Sequence, residues 1–212
     1  MKPVNKANET DPAGRRRILK TGMFAAAALM LRRLTSCAES AEQAAETAGL
    51  RLLRRKAPII PPGAASVDDF LRRCTACGLC VENCPTGTLT ISSDEYGAAN
   101  ALKPTLKFDS AFCRQVCTRC SHVCPTGALT PLAPEEKLLA PIGKAEISKG
   151  QCIAAADGVS CGVCARRCPV GAITIDETGP TDVPVLDARK CIGCGACEYI
   201  CPADAIIVSG IT

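Results

Sequence analysis

Large aromatic side chains are scarce in this sequence, which has no tryptophan, two tyrosines and four phenylalanines among 212 residues. A chain with so few aromatic core anchors needs another source of stability, and bound metals or disulfides are the usual ones. The single histidine is His122, and no Ser/His/Asp set, phosphate-binding loop or dinucleotide fingerprint is present. Catalysis on a bound substrate has no visible machinery, so we predict that the chain is not an enzyme.

The body of the chain also lacks a net positive charge. Residues 1–37 hold eight of the 25 Lys and Arg residues but only two of the 21 Asp and Glu residues. The remainder therefore has a slight acidic excess. A nucleic-acid-binding protein needs a basic stripe on its folded surface, so the charge distribution excludes nucleic acid as a partner.

The N-terminal segment carries the basic excess and has the pattern of an export signal. Gly14-Arg15-Arg16-Arg17-Ile18-Leu19-Lys20 resembles a twin-arginine motif, and Thr21–Leu31 is uncharged and mostly apolar. That apolar stretch suits a signal core and is too short to span a bilayer. We expect residues 1–38 to direct the folded, cofactor-loaded chain to the periplasm, where bare thiols would oxidise. The alternative is a basic arm on a cytoplasmic protein.

Cys37 lies at the end of this segment, in Leu34-Thr35-Ser36-Cys37-Ala38. Three fates remain open for it: lipidation after cleavage before Cys37, ordinary cleavage after Ala38, or an uncleaved tether. The first and last would associate the protein with the membrane through its N-terminus.

Cysteine is the residue that the sequence has in abundance, with 17 copies. Sixteen of them form four runs, each of which ends in Cys-Pro. The runs are Cys74, Cys77, Cys80 and Cys84; Cys113, Cys117, Cys120 and Cys124; Cys152, Cys161, Cys164 and Cys168; and Cys191, Cys194, Cys197 and Cys201. Runs one and four match the bacterial ferredoxin spacing, run two has one extra residue in its first spacer, and run three has a longer first loop.

This spacing suits a cubane cluster, because thiolates two residues apart let one tight loop wrap three of its four iron corners. Zinc sites more often use distant Cys-x2-Cys pairs with histidine, and four runs of four with a Cys-Pro ending are not a disulfide pattern. We therefore predict four [4Fe–4S] clusters with all 16 run cysteines as iron ligands, and Cys37 as the one cysteine outside them.

The repeat predicts an α+β fold of two bacterial-ferredoxin-like, two-cluster modules in tandem, rich in loops and stabilised by the clusters. We assign residues 39–65 to a tether, 66–131 to the first module, 132–143 to a linker and 144–212 to the second module. Ser66 should cap a short helix, and β-branched alternation predicts strands in six places. These are Thr88–Ser92, Thr105–Asp109, Ala145–Ser148, Ala172–Asp176, Val183–Asp187 and Ala205–Val208.

Two-cluster ferredoxins exchange ligands, so that the fourth cysteine of one run binds the cluster of the other. Strands link runs one and two, and others link runs three and four, which favours consecutive pairing of the runs. A nested pairing, one with four and two with three, remains open.

Several features together resemble the NapG/MauM family of periplasmic ferredoxin-type proteins. They are the twin-arginine segment, Pro61-Pro62-Gly63-Ala64 and Asp69-Phe70-Leu71 before run one, and the stretched first loop of run three. The family tends to have a longer middle spacer in run two than Thr118-Arg119. The resemblance implies a ferredoxin-like relay that takes electrons from a membrane quinol-oxidising partner, a quinol dehydrogenase, and passes them to a periplasmic reductase or dehydrogenase.

Two other functions compete with a relay. One is the fixed iron–sulfur subunit of a larger oxidoreductase, such as a molybdenum enzyme, and the other is a redox sensor. His122 and Tyr199 lie within spacers, where we expect them to pack beside a cluster. Arg114, Arg119, Arg166 and Arg167 could pair with an acidic partner or remain solvated.

Overall fold

The computed structural model describes residues 55–93, 95–176, 178 and 181–211, which belong to one compact unit. The predicted signal segment and Cys37 lie outside these residues. Among the described residues, none of the helices has the length and apolarity needed to cross a bilayer.

Short helices and two-stranded antiparallel sheets make up the fold, in agreement with the predicted α+β class. The helices are α1 (Val67–Arg73), α2 (Leu79–Glu82), α3 (Arg119–His122), α4 (Pro134–Leu139), α5 (Ile153–Ala156), α6 (Val163–Arg167) and α7 (Ala196–Ile200). The strands are β1 (Leu89–Ile91), β2 (Pro104–Leu106), β3 (Gly143–Ile147), β4 (Ile173–Asp176), β5 (Val183–Leu186) and β6 (Ile206–Gly210). Each strand overlaps one of the six that the sequence predicted.

The first helix, α1, forms for the predicted reason. The Ser66 side chain accepts a hydrogen bond from the Asp69 amide at 3.1 Å, which satisfies one of the free amides of the first turn. Asp68 and Asp69 are favourable at the positive end of the helix dipole. The buried Phe70 anchors the helix to the core, so that run one starts from a fixed point.

Three sheets pair strands across the cysteine runs. β1 pairs with β2, with Leu89 opposite Leu106, and β4 pairs with β5, with Ile173 opposite Leu186. These are the two strand pairs that link consecutive runs. β3 pairs with β6, with Gly143 opposite Gly210, and this pairing encloses runs three and four.

The buried core is continuous through the compact unit. Its largest fully buried side chains include Phe70, Phe108, Ile59, Leu106 and Leu129. Two of the four phenylalanines thus serve as core anchors, and aliphatic side chains and cysteines supply most of the remainder. A core of this composition leaves the thiols of the runs half-buried or buried among apolar atoms, except for that of the exposed Cys77.

Residues 55–65, at the end of the segment expected to be a tether, pack onto the body. Ile59 is fully buried, and its carbonyl accepts hydrogen bonds from the Leu106 amide at 3.0 Å and the Thr105 hydroxyl at 3.2 Å. The Ala57 carbonyl accepts from the Gly210 amide at 3.0 Å. The prolines near Ile59 predicted a boundary, but burial of the large apolar Ile59 side chain removes it from water and holds this segment on the body.

Candidate iron-sulfur sites

Four cavities in the structure are each lined by four cysteines. Three of the four come from one run, and the last cysteine of a neighbouring run completes the set. Site I has Cys74, Cys77, Cys80 and Cys124; site II has Cys84, Cys113, Cys117 and Cys120; site III has Cys168, Cys191, Cys194 and Cys197; and site IV has Cys152, Cys161, Cys164 and Cys201. All 16 predicted residues are brought together, in the consecutive arrangement and not in the nested one.

A turn into a short helix places the middle cysteines of the runs. Gly78 (φ 76°) and Gly195 (φ 78°) occupy the left-handed region immediately before α2 and α7. A residue without a Cβ adopts this conformation at little cost. The chain can therefore reverse around the cavity within two residues, and the first turn of the helix carries the third cysteine inward.

The exchanged cysteine is placed where the helix ends. Cys168 and Cys201 are the C-terminal caps of α6 and α7, with extended backbone angles, and proline follows each of them. Proline cannot continue a helix because it lacks the amide donor. The chain therefore leaves the first cavity at this point, and its last cysteine lines the neighbouring one.

The cavities are alike in size and chemistry. Each has about 320 to 390 Å³ of space not filled by atoms, part of it open to solvent. Apart from the cysteines the linings are mainly Ala, Gly, Pro, Ile, Leu and Val, and no carboxylate or imidazole lines any of them among the described residues. Within the same residues, no three His, Cys, Asp or Glu side chains converge on a single ion position. Four thiols around an apolar cavity fit the donor set of a cubane cluster.

Burial makes these thiols poor acids without a bound cation. It raises the pKa of Cys80 to about 11 and that of Cys120 to about 12, with neighbouring thiols adding to the effect. Burial likewise raises the pKa of Cys194 to about 11. Four thiolates in one apolar cavity would repel each other strongly. Iron ligation needs the deprotonated thiols and supplies the compensating positive charge.

The last cysteine of each run receives a neutral hydrogen-bond donor. The Ala172 amide donates to Cys168 Sγ at 3.2 Å and the Ala205 amide to Cys201 Sγ at 3.3 Å. Burial acts to raise the pKa of Cys84, but hydrogen bonds from the Leu89 amide and from Thr86 outweigh it, so that the pKa falls below its ordinary value. Such donors favour the thiolate and, with a cluster bound, tune its potential.

Sites II and III meet at a direct contact between two of their cysteines. The Cys113 amide donates to the Cys194 carbonyl at 2.9 Å. Beside this hydrogen bond the Phe108 ring lies against Gly195, where an added Cβ would come within 2.2 Å of the ring. The Arg55 guanidinium lies 5.6 Å from the centre of the Phe108 ring. The close approach joins the pair of sites built by runs one and two to the pair built by runs three and four.

The spacer residues singled out from the sequence lie at the edge of these sites. His122 is exposed, and its Nε2 lies 3.2 Å from the Leu132 carbonyl oxygen; it lines none of the four cavities. The Tyr199 ring is 6.0 Å from Phe112, over which the Arg167 guanidinium stacks at 5.0 Å. Arg114 lines site II. Tyr199, like His122, lines none of the four cavities, so the expectation that these two side chains pack beside a cluster is not met, and Arg114 lines site II without adding a sulfur donor.

Sequence reasoning missed two residues beside the sites, Lys137 and Arg55. Lys137 on α4 is buried, and its ammonium group donates to Cys113 Sγ at 3.2 Å. Arg55 forms an ion pair with Glu198 at 2.8 Å and donates to the Val208 carbonyl. The extra residue in run two marks the loop that Lys137 contacts, but it does not by itself point to a lysine 20 residues away.

Comparison with known families agrees with the repeat. The chain matches the 4Fe-4S dicluster domain twice, over residues 73–128 and 159–205. Each match covers two consecutive cysteine runs, although the second begins after Cys152. Two dicluster units correspond to the four clusters that the cysteine count predicted.

Curated relatives of this chain are ferredoxin-type proteins. Methylamine utilization ferredoxin-type protein MauM of Methylorubrum extorquens is 34% identical over 189 residues, covering 84% of this chain and 80% of that protein. MauM of Methylobacillus flagellatus is 33% identical over 158 residues, and the matched region spans 66% of its length. Ferredoxin-type protein NapG of Escherichia coli is 31% identical over 130 residues, covering 60% of this chain and 52% of that protein.

Proposed function

This chain belongs to the ferredoxin-type family of MauM and NapG and carries four [4Fe–4S] clusters, and we propose that it relays single electrons from a membrane quinol-oxidising partner to a periplasmic reductase or dehydrogenase. Electron transfer through iron–sulfur clusters is common to its relatives. The partners and the periplasmic location are our proposal, supported by the family resemblance and by Arg15 and Arg16 of the signal-like segment.

We further propose that the 16 run cysteines are the iron ligands, distributed as in sites I to IV. The observation that carries this assignment is the set of four separate cavities, each lined by four cysteines. When bound, each cluster accepts and releases one electron. The cysteines hold it, and the apolar linings keep most water away from it.

The contacts between sites support a linear order from I to IV. Sites I and II exchange Cys84 and Cys124, and sites III and IV exchange Cys168 and Cys201. The hydrogen bond between Cys113 and Cys194 joins sites II and III. Because electron tunnelling weakens steeply with distance, transfer between neighbours in this order outcompetes longer steps.

Site I is the end of this relay at which a cavity-lining cysteine is exposed. Cys77 is the one exposed cysteine among the 16 described, and the neighbouring Leu79 is 45% exposed. An exposed ligand beside an exposed apolar side chain brings a docked partner close to the cluster with little desolvation of charge. We propose that one redox partner docks here.

Iron content and ligand replacement test the assignment together. Protein produced anaerobically should contain about 16 irons and 16 sulfides per chain. Cys201→Ser should alter the same electron paramagnetic resonance (EPR) signal as Cys152→Ala and leave the signal that responds to Cys74→Ala unchanged. If Cys201→Ser instead tracks Cys74→Ala, the chain is a nested domain and sites I to IV are misassigned.

Location and partners have tests of their own. Replacing Arg15 and Arg16 by Lys should leave the loaded protein in the cytoplasm, which cell fractionation would show; normal periplasmic accumulation would contradict the export proposal. Crosslinking in cells should capture a membrane quinol dehydrogenase. A stoichiometric catalytic subunit that remains bound through salt washing would favour the fixed-subunit function instead.

A further inference from the structure

Lys137 is a buried lysine whose ammonium group points into the loop of site II. Lys137 is only 3% exposed, and lysine is seldom buried to this extent without partners. Nζ donates to Cys113 Sγ at 3.2 Å, to the Arg114 carbonyl at 2.6 Å and to the Cys117 carbonyl. An ammonium group has three N–H donors, and all three are used on the segment from Cys113 to Cys117, which contains the first spacer of run two.

Lys137 contacts run two at the spacer where that run departs from the ferredoxin spacing. That run has three residues between its first two cysteines, and Arg114 and Cys117 are the first residue of the widened spacer and the cysteine that closes it. Thr118, which precedes α3, has φ −122°, whereas a left-handed glycine precedes α2, α6 and α7. The ammonium group therefore bridges a loop that lacks the usual tight turn.

Lys137 also differs in charge from the other donors to the site cysteines. The Ala172 and Ala205 amides and the Thr86 and Thr126 hydroxyls that contact cysteine sulfurs are neutral. Charge-assisted hydrogen bonds are roughly twice as strong as neutral ones. Because reduction adds negative charge to a thiolate-bound cluster, an adjacent ammonium group stabilises the reduced state more than the oxidised state.

We propose that Lys137 is a positioning residue of site II, which holds the widened loop of run two and raises the reduction potential of the cluster bound there. The proposal rests on the ligand assignment of the proposed function. Its consequence is that an electron in transit spends more time at site II than it would without the ammonium group, beside the Cys113–Cys194 contact that joins the two pairs of sites.

The test uses the full chain, loaded anaerobically, with each cluster potential measured by EPR-monitored redox titration. In Lys137→Met, one of the four reduction potentials should fall. At a fixed solution potential the ratio of reduced to oxidised cluster should change about tenfold, which corresponds to about 59 mV for one electron. The signal that shifts should be the one altered by Cys117→Ser. Lys103→Met is the matched control, because the half-buried Lys103 donates to the Leu71 carbonyl and to Asn100 Oδ1 and not to a sulfur.

Two further variants separate charge from loop support. Lys137→Arg retains the positive charge, whereas Lys137→Gln retains a donor without it, so the site II potential should be lower in the Gln variant. If Lys137→Met loses one cluster and retains about 12 irons, loop support is established and the Arg and Gln pair decides the effect of charge. Unchanged potentials at full iron content, or equal potentials in the Arg and Gln variants, would overturn the proposal for Lys137 and leave the ligand assignment intact. A wild-type chain that saturates at half the expected iron would overturn the ligand assignment as well.

Discussion

The N-terminal half of the described region, residues 55–140, and the C-terminal half, residues 143–211, each build two cysteine sites but close their folds differently. In the C-terminal half β3 and β6 pair over five positions, which brings the beginning and the end of that half together. In the N-terminal half β1 and β2 pair over only three positions. There the Ile59 carbonyl accepts from the Leu106 amide and the Thr105 hydroxyl, and the Thr130 amide donates to the Gly63 carbonyl at 2.8 Å.

This difference indicates that, in the N-terminal half, the residues that supply the cysteines and the residues that close the fold lie in different segments. In both halves the cysteines that line the cavities come from the repeat. Closure in the N-terminal half depends on residues 55–63, which precede the repeat and also contact the C-terminal half through Ala57 and Arg55. The N-terminal half therefore depends on a segment with no cysteine, whereas the C-terminal half is closed by its own ends.

Truncation should have the largest effect, and it tests directly whether the two halves close differently. Produced anaerobically, residues 143–211 should fold and bind about eight irons, because metal binding drives the folding of small domains. Residues 66–140 should fail to hold clusters, since they lose the buried Ile59 and its hydrogen bonds, while residues 55–140 should recover them. Iron analysis and circular dichroism measure both properties. Equal iron content in 66–140 and 55–140 would show that residues 55–65 do not close this half.

Alanine at equivalent glycines of the two halves should have a smaller effect. Gly78 and Gly195 have the same left-handed conformation, but no atom lies within 4 Å of an added Cβ at Gly78. Gly78→Ala should therefore cost about 1–2 kcal/mol in backbone strain. Gly195→Ala should cost a further 1–3 kcal/mol, roughly, because its Cβ would collide with the Phe108 ring.

The thermal midpoint for loss of cluster absorbance measures this pair of variants, at about 2–4 °C per kcal/mol for a chain of this size. The two variants must first be shown to retain full iron. A drop for Gly78→Ala as large as that for Gly195→Ala would mean that the Phe108 contact is not a tight junction between the halves.

Two neighbouring cations link residues 55–65 to the C-terminal half, and removing either should have a smaller effect than Gly195→Ala. Arg55→Met removes a partly buried ion pair with Glu198, a hydrogen bond to Val208 and a stacking contact with Phe108, and should cost about 1–3 kcal/mol. Lys56→Met removes only the exposed ion pair with Glu146 and should cost less than about 1 kcal/mol. The same thermal midpoints rank them, and an equal loss in both would contradict the bridging role of Arg55.

Local features of the fold were predictable from the sequence because they depend on residues close together in the chain. The Ser66 cap of α1 is confirmed, and each of the six predicted strands has a counterpart within a few residues. The helices of four or five residues that carry the third cysteines were not predicted, because so short a helix does not show a 3.6-residue period. The pairing of β3 with β6 was also missed, since no turn links strands separated by two cysteine runs.

The cofactor and the number of sites could be predicted from the sequence alone, because the cysteine spacing identifies four runs and 16 cysteines make four sets of four. The tertiary structure was needed to see which run supplies the fourth cysteine of each cavity, since that depends on which loops meet in space. It also decided that Arg55 and Lys137 belong to the cluster region. Their charges act over a few ångströms in an apolar interior, where burial strengthens an interaction that the sequence separates by many residues.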